Sequence, residues 1–236
     1  FGFAGDDVLT GDDGDDLLEG GAGNDTLKGN DGDDLLDGGA GDDKLYGEAG
    51  KDTYLFGVGG GSDEIFESEG TDTLRFGEGV SIENMSLYSQ GSDLTIKLRD
   101  SGDQLTIKYW FNGDRYQVEQ FEFADGSQFS QSEFFSQLPI EGTSGNDSLT
   151  GSNVNDRIFG FAGDDVLTGD DGDDLLEGGA GNDTLKGNDG DDRLDGGAGD
   201  DKLYGEAGND TYLFDAGNDV IFESEGTDTL RFGEGV

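Results

Sequence analysis

The sequence predicts an all-β protein, a parallel β-roll solenoid in which two nonapeptides make each coil. The pattern Gly-x-x-Gly-x-Asp-x-Leu-x runs six times from Gly2 to Leu55 and eight times from Gly142 to Leu213, without a gap in either array. The third position of successive repeats alternates through Ala4, Asp13 and Ala22, which makes the structural period eighteen residues. A fixed period of this kind is typical of a solenoid.

Each nonapeptide combines a glycine turn with a short strand. The glycines permit positive φ and let backbone carbonyls approach a neighbouring turn or a ligand. The residues around each aspartate favour a strand with one inward apolar side chain, as Leu18 follows Asp16 by two residues. We therefore expect one strand on each face of a coil, a turn at each edge, and about 4.8 Å between stacked coils.

The chain contains an internal duplication. Residues 1–80 recur as residues 159–236 with few changes. We predict a first β-roll over residues 1–80, a flanking segment over residues 81–139, and a second roll, the tandem copy, over residues 140–236.

The flanking segment has a different pattern from the repeats. Residues 94–98 and 105–109 alternate like half-buried antiparallel strands, and residues 117–123 form a third candidate strand. Residues 130–138 have the pattern of a short helix that is capped by Ser130 or Ser132 and followed by proline. Because a solenoid needs its last open edge covered, we predict that this small, mostly antiparallel β segment caps the first roll.

The charge of the chain indicates that it binds cations. It has 56 acidic and 13 basic residues, a formal net charge of −43, so a compact state repels itself. Aspartate carboxylates and glycine-turn carbonyls are hard oxygen ligands, and a flexible cage of six or more oxygens suits Ca²⁺ better than Mg²⁺. The absence of Cys and His excludes thiolate and imidazole ligands, and with them ordinary zinc sites. The sequence therefore predicts several bound calcium ions.

The predicted carboxylate ligands are the sixth residue of each repeat and its counterparts in the looser coils that follow. They are Asp7, Asp16, Asp25, Asp34, Asp43, Asp52, Asp63, Asp72, Asp147, Asp156, Asp165, Asp174, Asp183, Asp192, Asp201, Asp210, Asp219 and Asp228. The predicted carbonyl ligands are those of Gly11, Gly20, Gly29, Gly38, Gly169, Gly178, Gly187 and Gly196. Glu67 is a further candidate in the looser coils. Val154 replaces an expected glycine, which weakens the prediction at Asp156, and fifth-position acids such as Asp15 are interpreted as solvated.

Composition excludes several classes of function. Without His or Cys, the chain has no Ser-His-Asp, Cys-His or zinc-hydrolase site, and its carboxylates lie on predicted turns without an apolar pocket. We therefore predict no enzyme activity and no catalytic residues. The acidity argues against a nucleic-acid partner, and no apolar run is long enough to predict a transmembrane segment. Trp110 is interpreted as core of the flank rather than a sugar-stacking platform.

The nonapeptides resemble the β-roll repeats of the RTX (repeat-in-toxin) family of haemolysin-type calcium-binding proteins. The stretches Asp52–Gly57 and Gly61–Ser68, followed by residues 81–137, resemble the last repeat block and C-terminal flank of RTX cytolysins. The resemblance implies calcium bound between stacked turns through aspartate side chains and glycine carbonyls. It also implies export through type I secretion machinery, with the chain unfolded in transit and folded outside, hence a secreted, extracellular or cell-surface location.

Three functions remain open from the sequence. The first is a noncatalytic, calcium-induced folding module of a large secreted toxin or adhesin, which the tandem duplication favours. The second is an accessory domain of a secreted enzyme, since RTX rolls also follow lipases, metalloproteases and alginate epimerases. The third is a surface-recognition module, with a host-cell surface or glycan as its target.

Overall fold

The computed structural model describes residues 1–214 and 216–232, so position 215 and residues 233–236 of the predicted second roll lie outside the described residues. The chain forms two compact units. The first comprises Phe1–Ser86 with Ser92–Phe134, and the second comprises Leu87–Gly91 with the chain from Phe135 onward. Both are built almost entirely of β-strands, and the predicted parallel β-roll is confirmed in each.

The strands of the first half follow the repeats. They are β1 (Phe3–Ala4), β2 (Val8–Asp13), β3 (Leu17–Ala22), β4 (Thr26–Asp31), β5 (Leu35–Ala40), β6 (Lys44–Gly50), β7 (Thr53–Phe56), β8 (Ser62–Phe66), β9 (Glu69–Gly70), β10 (Thr73–Phe76), β11 (Met85–Gln90), β12 (Asp93–Leu98), β13 (Gln104–Ile107), β14 (Gln120–Glu122) and β15 (Gln128–Ser130). Short 3₁₀ turns lie at Ile82–Asn84, Trp110–Asn112 and Asp114–Tyr116.

Alternate strands of the first unit stack into two sheets. One has the order β1-β3-β5-β7-β10-β14-β15, and the other runs β2-β4-β6-β8-β13-β12. Within the repeats the strands are parallel and eighteen residues apart, as Leu9 pairs with Leu27 and Leu27 pairs with Leu45. The step lengthens to twenty residues at β8, where Leu45 pairs with Ile65. The alternation of odd and even repeats in the sequence therefore corresponds to two sheets. The inward apolar side chains of both sheets form one column between them.

The core of each roll is that column. Leu27, Leu36, Leu45, Tyr54 and Ile65 are fully buried. Their neighbours along each strand are exposed or half-buried, so one side chain per nonapeptide forms the core.

Left-handed backbone shapes each turn. The fourth residue of the regular repeats is a glycine with positive φ, for example 113° at Gly14 and 140° at Gly32. The second residue is also left-handed even where it is not glycine, with φ of 70° at Asp12 and 76° at Asn30. Asp and Asn tolerate this conformation better than most residues, which explains their frequency at the second position of the even repeats.

The flank extends the two sheets of the first roll. Its hairpins, β12 with β13 and β14 with β15, are antiparallel as expected. The strands that contact the roll are instead parallel to it, because β13 pairs with β8 and β14 pairs with β10. Trp110 is fully buried, which confirms its place in the core.

The predicted elements of the flank are longer than the observed ones. The strand expected over 105–109 ends at Ile107, because Tyr109 has a positive φ of 61° and donates its N–H to Asp93 at 2.9 Å. The strand expected over 117–123 shortens to β14. The helix α1 spans Gln131–Gln137. Ser130 is its cap, since Ser130 Oγ accepts the N–H of Glu133 at 3.4 Å and Glu133 accepts that of Ser130 at 2.8 Å.

The second half continues the same architecture. Its strands are β16 (Ile140–Glu141), β17 (Ser148–Thr150), β18 (Arg157–Ala162), β19 (Val166–Asp171), β20 (Leu175–Ala180), β21 (Thr184–Asp189), β22 (Arg193–Ala198), β23 (Lys202–Ala207), β24 (Thr211–Phe214), β25 (Val220–Phe222) and β26 (Thr229–Phe232). The two sheets run β16-β18-β20-β22-β24-β26 and β17-β19-β21-β23-β25. In the part of the chain that the structure describes, no helix is both long and apolar enough to cross a bilayer.

Candidate metal centres

The sixth-position aspartates form a continuous row along each sheet edge. One carboxylate oxygen of each accepts the backbone N–H of the aspartate one coil earlier, so Asp7 donates to Oδ1 of Asp25, and Asp25 to Oδ1 of Asp43, both at 2.7 Å. Asp16 donates likewise to Asp34 at 2.8 Å, in a separate row of even repeats. The second unit has the same arrangement, in which Asp165 donates to Asp183 at 2.8 Å. The backbone of one coil thus fixes the carboxylate of the next.

The second oxygen of these carboxylates is buried without a hydrogen-bond partner. This holds for Oδ2 of Asp7, Asp16, Asp25, Asp34, Asp43, Asp52, Asp72, Asp165, Asp174, Asp183, Asp192 and Asp210. Buried polar atoms are nearly always paired, so a regular series of anionic oxygens without a protein partner indicates that they bind cations.

A backbone carbonyl from the next coil converges on eight of these oxygens, those of Asp7, Asp16, Asp25, Asp34, Asp165, Asp174, Asp183 and Asp192. A Cβ added to Gly11 would lie 2.6 Å from Oδ2 of Asp16 and 2.9 Å from the carbonyl oxygen of Gly29. In the second unit, a Cβ on Gly160 would lie 2.5 Å from Asp165 and 2.6 Å from the Gly178 carbonyl. In most repeats the first glycine therefore leaves open a space lined by a carboxylate and a carbonyl. This donor set fits calcium.

Most of the predicted carbonyl ligands occupy this position. The carbonyls of Gly20, Gly29, Gly38, Gly169, Gly178, Gly187 and Gly196 each lie beside the aspartate thirteen residues earlier. The carbonyl of Gly11 has no such aspartate in the sequence. Sequence reasoning missed the carbonyls of Gly47, Gly160 and Gly205, which take the same position. Their place as first residue of a repeat was the available signal.

Without bound cations, burying the row of aspartate carboxylates is energetically unfavourable. Desolvation, together with the neighbouring carboxylates of Asp156 and Asp192, raises the pKa of Asp174 to about 8. Desolvation likewise raises the pKa of Asp192 to about 7 and that of Asp183 to about 6. Folding therefore brings together carboxylates that water would otherwise keep ionised at neutral pH.

Two early repeats of the second array differ from the rest. The N–H and hydroxyl of Ser152 donate to Oδ2 of Asp156 at 2.6 and 2.9 Å, and Thr143 makes the same pair of bonds to Asp147. Neither Gly145 nor Val154, at the fourth position of these two repeats, has the positive φ that glycine has at this position in the other repeats. In these repeats a hydroxyl of the same repeat already donates a hydrogen bond to the carboxylate oxygen.

The fifth-position residues carry a second ladder, on the outer surface. Their side-chain oxygens accept the N–H of the residue one coil later, as Asp15 does from Asp33 at 3.0 Å and Asp33 from Lys51 at 2.9 Å. These side chains are exposed, which agrees with their interpretation as solvated residues. The sequence did not reveal the ladder itself.

The row of sixth-position aspartates continues into the looser coils that follow the regular repeats of each roll. Asp63 accepts the N–H of Asp43 at 3.0 Å, and Asp72 accepts that of Asp52 at 2.8 Å. In the second copy Asp219 accepts from Asp201 at 3.1 Å and Asp228 accepts from Asp210 at 3.0 Å. Two groups of three carboxylates have oxygens within 4.8 Å of one another, namely Asp52, Glu67 and Asp72, and their copies Asp210, Glu223 and Asp228.

Comparison with known families agrees with this geometry. The family model described as RTX calcium-binding nonapeptide repeat (4 copies) matches residues 1–36, 19–54, 28–63, 141–176, 168–203, 177–212 and 186–221, which together cover more than half of the chain. A second model, the haemolysin-type calcium binding protein related domain, matches residues 93–133 in the flank. No curated protein matches the chain.

Proposed function

The chain belongs to the family of RTX calcium-binding nonapeptide repeat proteins, and we propose that it is a calcium-induced folding module of a larger secreted protein. RTX repeats imply a calcium-binding β-roll. The finer proposal is that the chain is disordered while it is exported by type I secretion and folds when it meets extracellular calcium. The tandem duplication supports a long, repetitive toxin or adhesin in which the module has a structural rather than catalytic role.

The observation that carries this proposal is the row of buried, unpartnered carboxylate oxygens. Eight of these oxygens lie next to a glycine carbonyl of the following coil, so an ion there would bridge two coils. The eighteen-residue step gives one row of ions for the odd repeats and one for the even repeats. The ligands are the regular sixth-position aspartates and the facing glycine carbonyls. At Asp147 and Asp156, Thr143 and Ser152 take the place of the ion.

Electrostatics explain why calcium would control folding. Without cations, the charge of −43 opposes compaction, and the buried carboxylates add to that cost. Extracellular calcium modules have dissociation constants of about 10⁻⁴–10⁻³ M. Since neighbouring ions share coils, we expect a steep transition in this concentration range.

The test is a calcium titration of the full chain, followed by far-UV circular dichroism and hydrodynamic radius. We expect an expanded chain in EDTA and a compact, β-rich chain in millimolar calcium. Magnesium should substitute poorly because it holds its waters and requires octahedral geometry. A chain that is compact in EDTA, or that folds equally well with magnesium, would disprove the proposal.

Two adjacent residues provide a matched test of the ligands. Asp34→Asn changes a buried carboxylate whose Oδ2 has no partner, whereas Asp33→Asn changes an exposed one on the outer ladder. Both remove one charge, and the asparagine oxygen can still accept the backbone N–H of Asp16 at position 34 and of Lys51 at position 33. We expect Asp34→Asn to raise the calcium midpoint and Asp33→Asn to leave it nearly unchanged. Equal effects would mean that net charge, rather than ligation, controls folding.

A further inference from the structure

The end of the even row in the first unit differs from the regular repeats. The carboxylates of Asp52, Glu67 and Asp72 have oxygens within 4.8 Å of one another, and their side chains are 1%, 4% and 1% exposed. All three belong to the first unit. Three carboxylates so close together and so well buried are costly unless a cation neutralises them.

The hydrogen bonds of the cluster leave two oxygens free. Oδ1 of Asp52 accepts the N–H of Asp34 at 2.9 Å, and Oδ1 of Asp72 accepts that of Asp52 at 2.8 Å. Oδ2 of both aspartates is buried and has no hydrogen-bond partner. Glu67 accepts the N–H of Ser68 at 3.1 Å and the hydroxyl of the buried Tyr54. The cluster therefore points unsatisfied anionic oxygens into a closed space.

The strand register explains why the cluster forms here. β6 pairs with β8 twenty residues later, as Tyr46 pairs with Phe66, so the position after Gly47 in the stack is Glu67. Glu67 thus stands where regular repeats have the first glycine of the next coil. A Cβ on Gly47 would meet Asp52 and the Tyr54 hydroxyl, whereas a Cβ on Gly29 meets Asp34 and the Gly47 carbonyl. A carboxylate and a phenol replace the usual carbonyl.

The surroundings of the cluster are acidic as well. Burial raises the pKa of Glu67 to about 8 and that of Asp72 to about 7, with the neighbouring carboxylates adding to each shift. Glu119 of the flank accepts the N–H of Asp72 at 2.7 Å, next to the pairing of β10 with β14. The cluster is therefore located where the last coil meets the flank.

We propose that Asp52, Glu67 and Asp72 bind one divalent cation of the calcium type in a three-carboxylate site distinct from the carboxylate–carbonyl sites of the repeats. Tyr54 orients Glu67 through its hydroxyl. The ion would join β7 and β10 of the roll at the edge on which β14 packs. This inference rests on the proposed function for the identity of the ion, calcium.

The copy in the second unit supplies a matched control. Asp210, Glu223 and Asp228 have the same grouping, and Tyr212 donates its hydroxyl to Glu223, but Glu223 and Asp228 are exposed. Water can solvate these two carboxylates, so the copy needs a cation less and should bind one more weakly.

The experiment measures calcium bound per chain by equilibrium dialysis, using the full-length wild type, Glu67→Gln and Glu223→Gln. Glutamine can still accept the tyrosine hydroxyl, so a purely structural hydrogen bond would survive the change. We expect Glu67→Gln to lose one ion per chain at calcium just above the folding midpoint, and Glu223→Gln to lose none there. An unchanged ion count in Glu67→Gln would overturn the inference.

Terbium luminescence gives an independent measurement. Tyr54 adjoins the site and should transfer excitation to Tb³⁺, so Tyr54→Phe should lower the sensitised emission while the three carboxylates keep the ion. If Glu67→Gln does not fold, this variant decides: lower emission with a full ion count supports the site, and unchanged emission overturns it. Failure of the proposed function would appear differently, as a wild type that neither binds calcium nor folds with it.

Discussion

The first roll and its copy have nearly the same sequence, but they bury opposite ends of it. Leu74 and Phe76 in the first roll are 0% and 1% exposed, because Leu74 pairs with Phe121 of the flank. Their counterparts Leu230 and Phe232 are 46% and 64% exposed. No further strand pairs with β26 among the described residues.

The start of each roll shows the reverse. Leu167 in the copy is fully buried, because β19 pairs with the preceding strand β17, whereas its counterpart Leu9 is half-buried. Val166 is 40% exposed and Val8 is 75% exposed. The burial of a coil therefore depends on whether a neighbouring coil stacks on it, as expected for a solenoid whose stability is a sum of nearest-neighbour contacts.

The largest effect that this comparison predicts is on the stability of leucine-to-alanine variants at matched positions of the two rolls. At the end of the repeat array the first roll should be destabilised more, and at its start the copy should be destabilised more. Truncating a fully buried leucine to alanine costs about 2–5 kcal/mol, and an exposed substitution usually less than about 0.5 kcal/mol. Leu74→Ala should therefore destabilise its roll far more than Leu230→Ala does. At the other end, Leu167→Ala should cost more than Leu9→Ala.

Hydrogen exchange of the full chain in saturating calcium measures this reversal, since amide protection reports each roll separately. Each pair has the same residue type, local sequence and substitution, so the pairs control for propensity. Equal loss of protection within both pairs would contradict the interpretation that stacking neighbours control stability.

The second prediction concerns pH in the absence of calcium, and its effect should be smaller. Burial raises the pKa of Asp52 to about 6, of Asp72 to about 7 and of Glu67 to about 8. A carboxyl whose folded pKa exceeds its unfolded value binds more protons when folded. Its stabilising contribution is full below about pH 4 and is lost as pH rises through 6–8. In EDTA the folded state is a minor population that should be larger at pH 5 than at pH 8, so the residual amide protection at the end of the first roll should be greater at pH 5.

The exposed copy provides the comparison for this prediction. Glu223 and Asp228 are solvated, so protection around β25 and β26 should change less over the same pH range. In calcium the first roll should show the opposite trend, because protons compete with the ion for the same oxygens. An EDTA sample that gains protection between pH 5 and pH 8 would contradict the sign of this linkage.

The repeat period and the apolar residue made much of the fold predictable from the sequence. Asp25 and Leu27 recur at one spacing, and the spacing alone specifies parallel stacking with one buried leucine per turn. The flank was less predictable, because β13 and β14 alternate in the same way whether they pair with each other or continue the sheets of the roll. Their parallel pairing with the roll depends on tertiary contacts, which the local sequence pattern does not encode.

The candidate sites were predictable where the period is strict and less so where it changes. The row of aspartates follows from the ninefold spacing, but the role of Glu67 depends on a glutamate that stands where a regular repeat has its first glycine, as Glu223 does in the copy. The hydrogen bonds of Thr143 and Ser152 were also missed, because a hydroxyl next to glycine has no periodic signal. Both cases involve a departure from the repeat.

The smallest predicted effect is the restoration of a regular site in the second array. The double variant Ser152→Gly with Val154→Gly gives this repeat the glycines of its neighbours. It removes the hydroxyl that donates to Oδ2 of Asp156 and allows a positive φ at position 154. Asp156 Oδ2 lies 2.7 Å from the position of a Cβ on Gly151, beside the Gly169 carbonyl, so the regular donor set is already present.

We expect this variant to bind one more calcium ion per chain than the wild type. Without calcium, each added glycine costs about 0.5–1 kcal/mol in backbone entropy, so the variant should be the less stable protein in EDTA. At free calcium ten times the dissociation constant, one added ion stabilises the folded state by about 1.4 kcal/mol. The gain and the loss nearly cancel, so the ion count is a sharper measurement than stability. Ser152→Ala, which removes the hydroxyl but keeps the backbone N–H donor and Val154, should not gain the ion. If Ser152→Ala binds the additional ion as well as the double variant does, the left-handed turn is not required for the site.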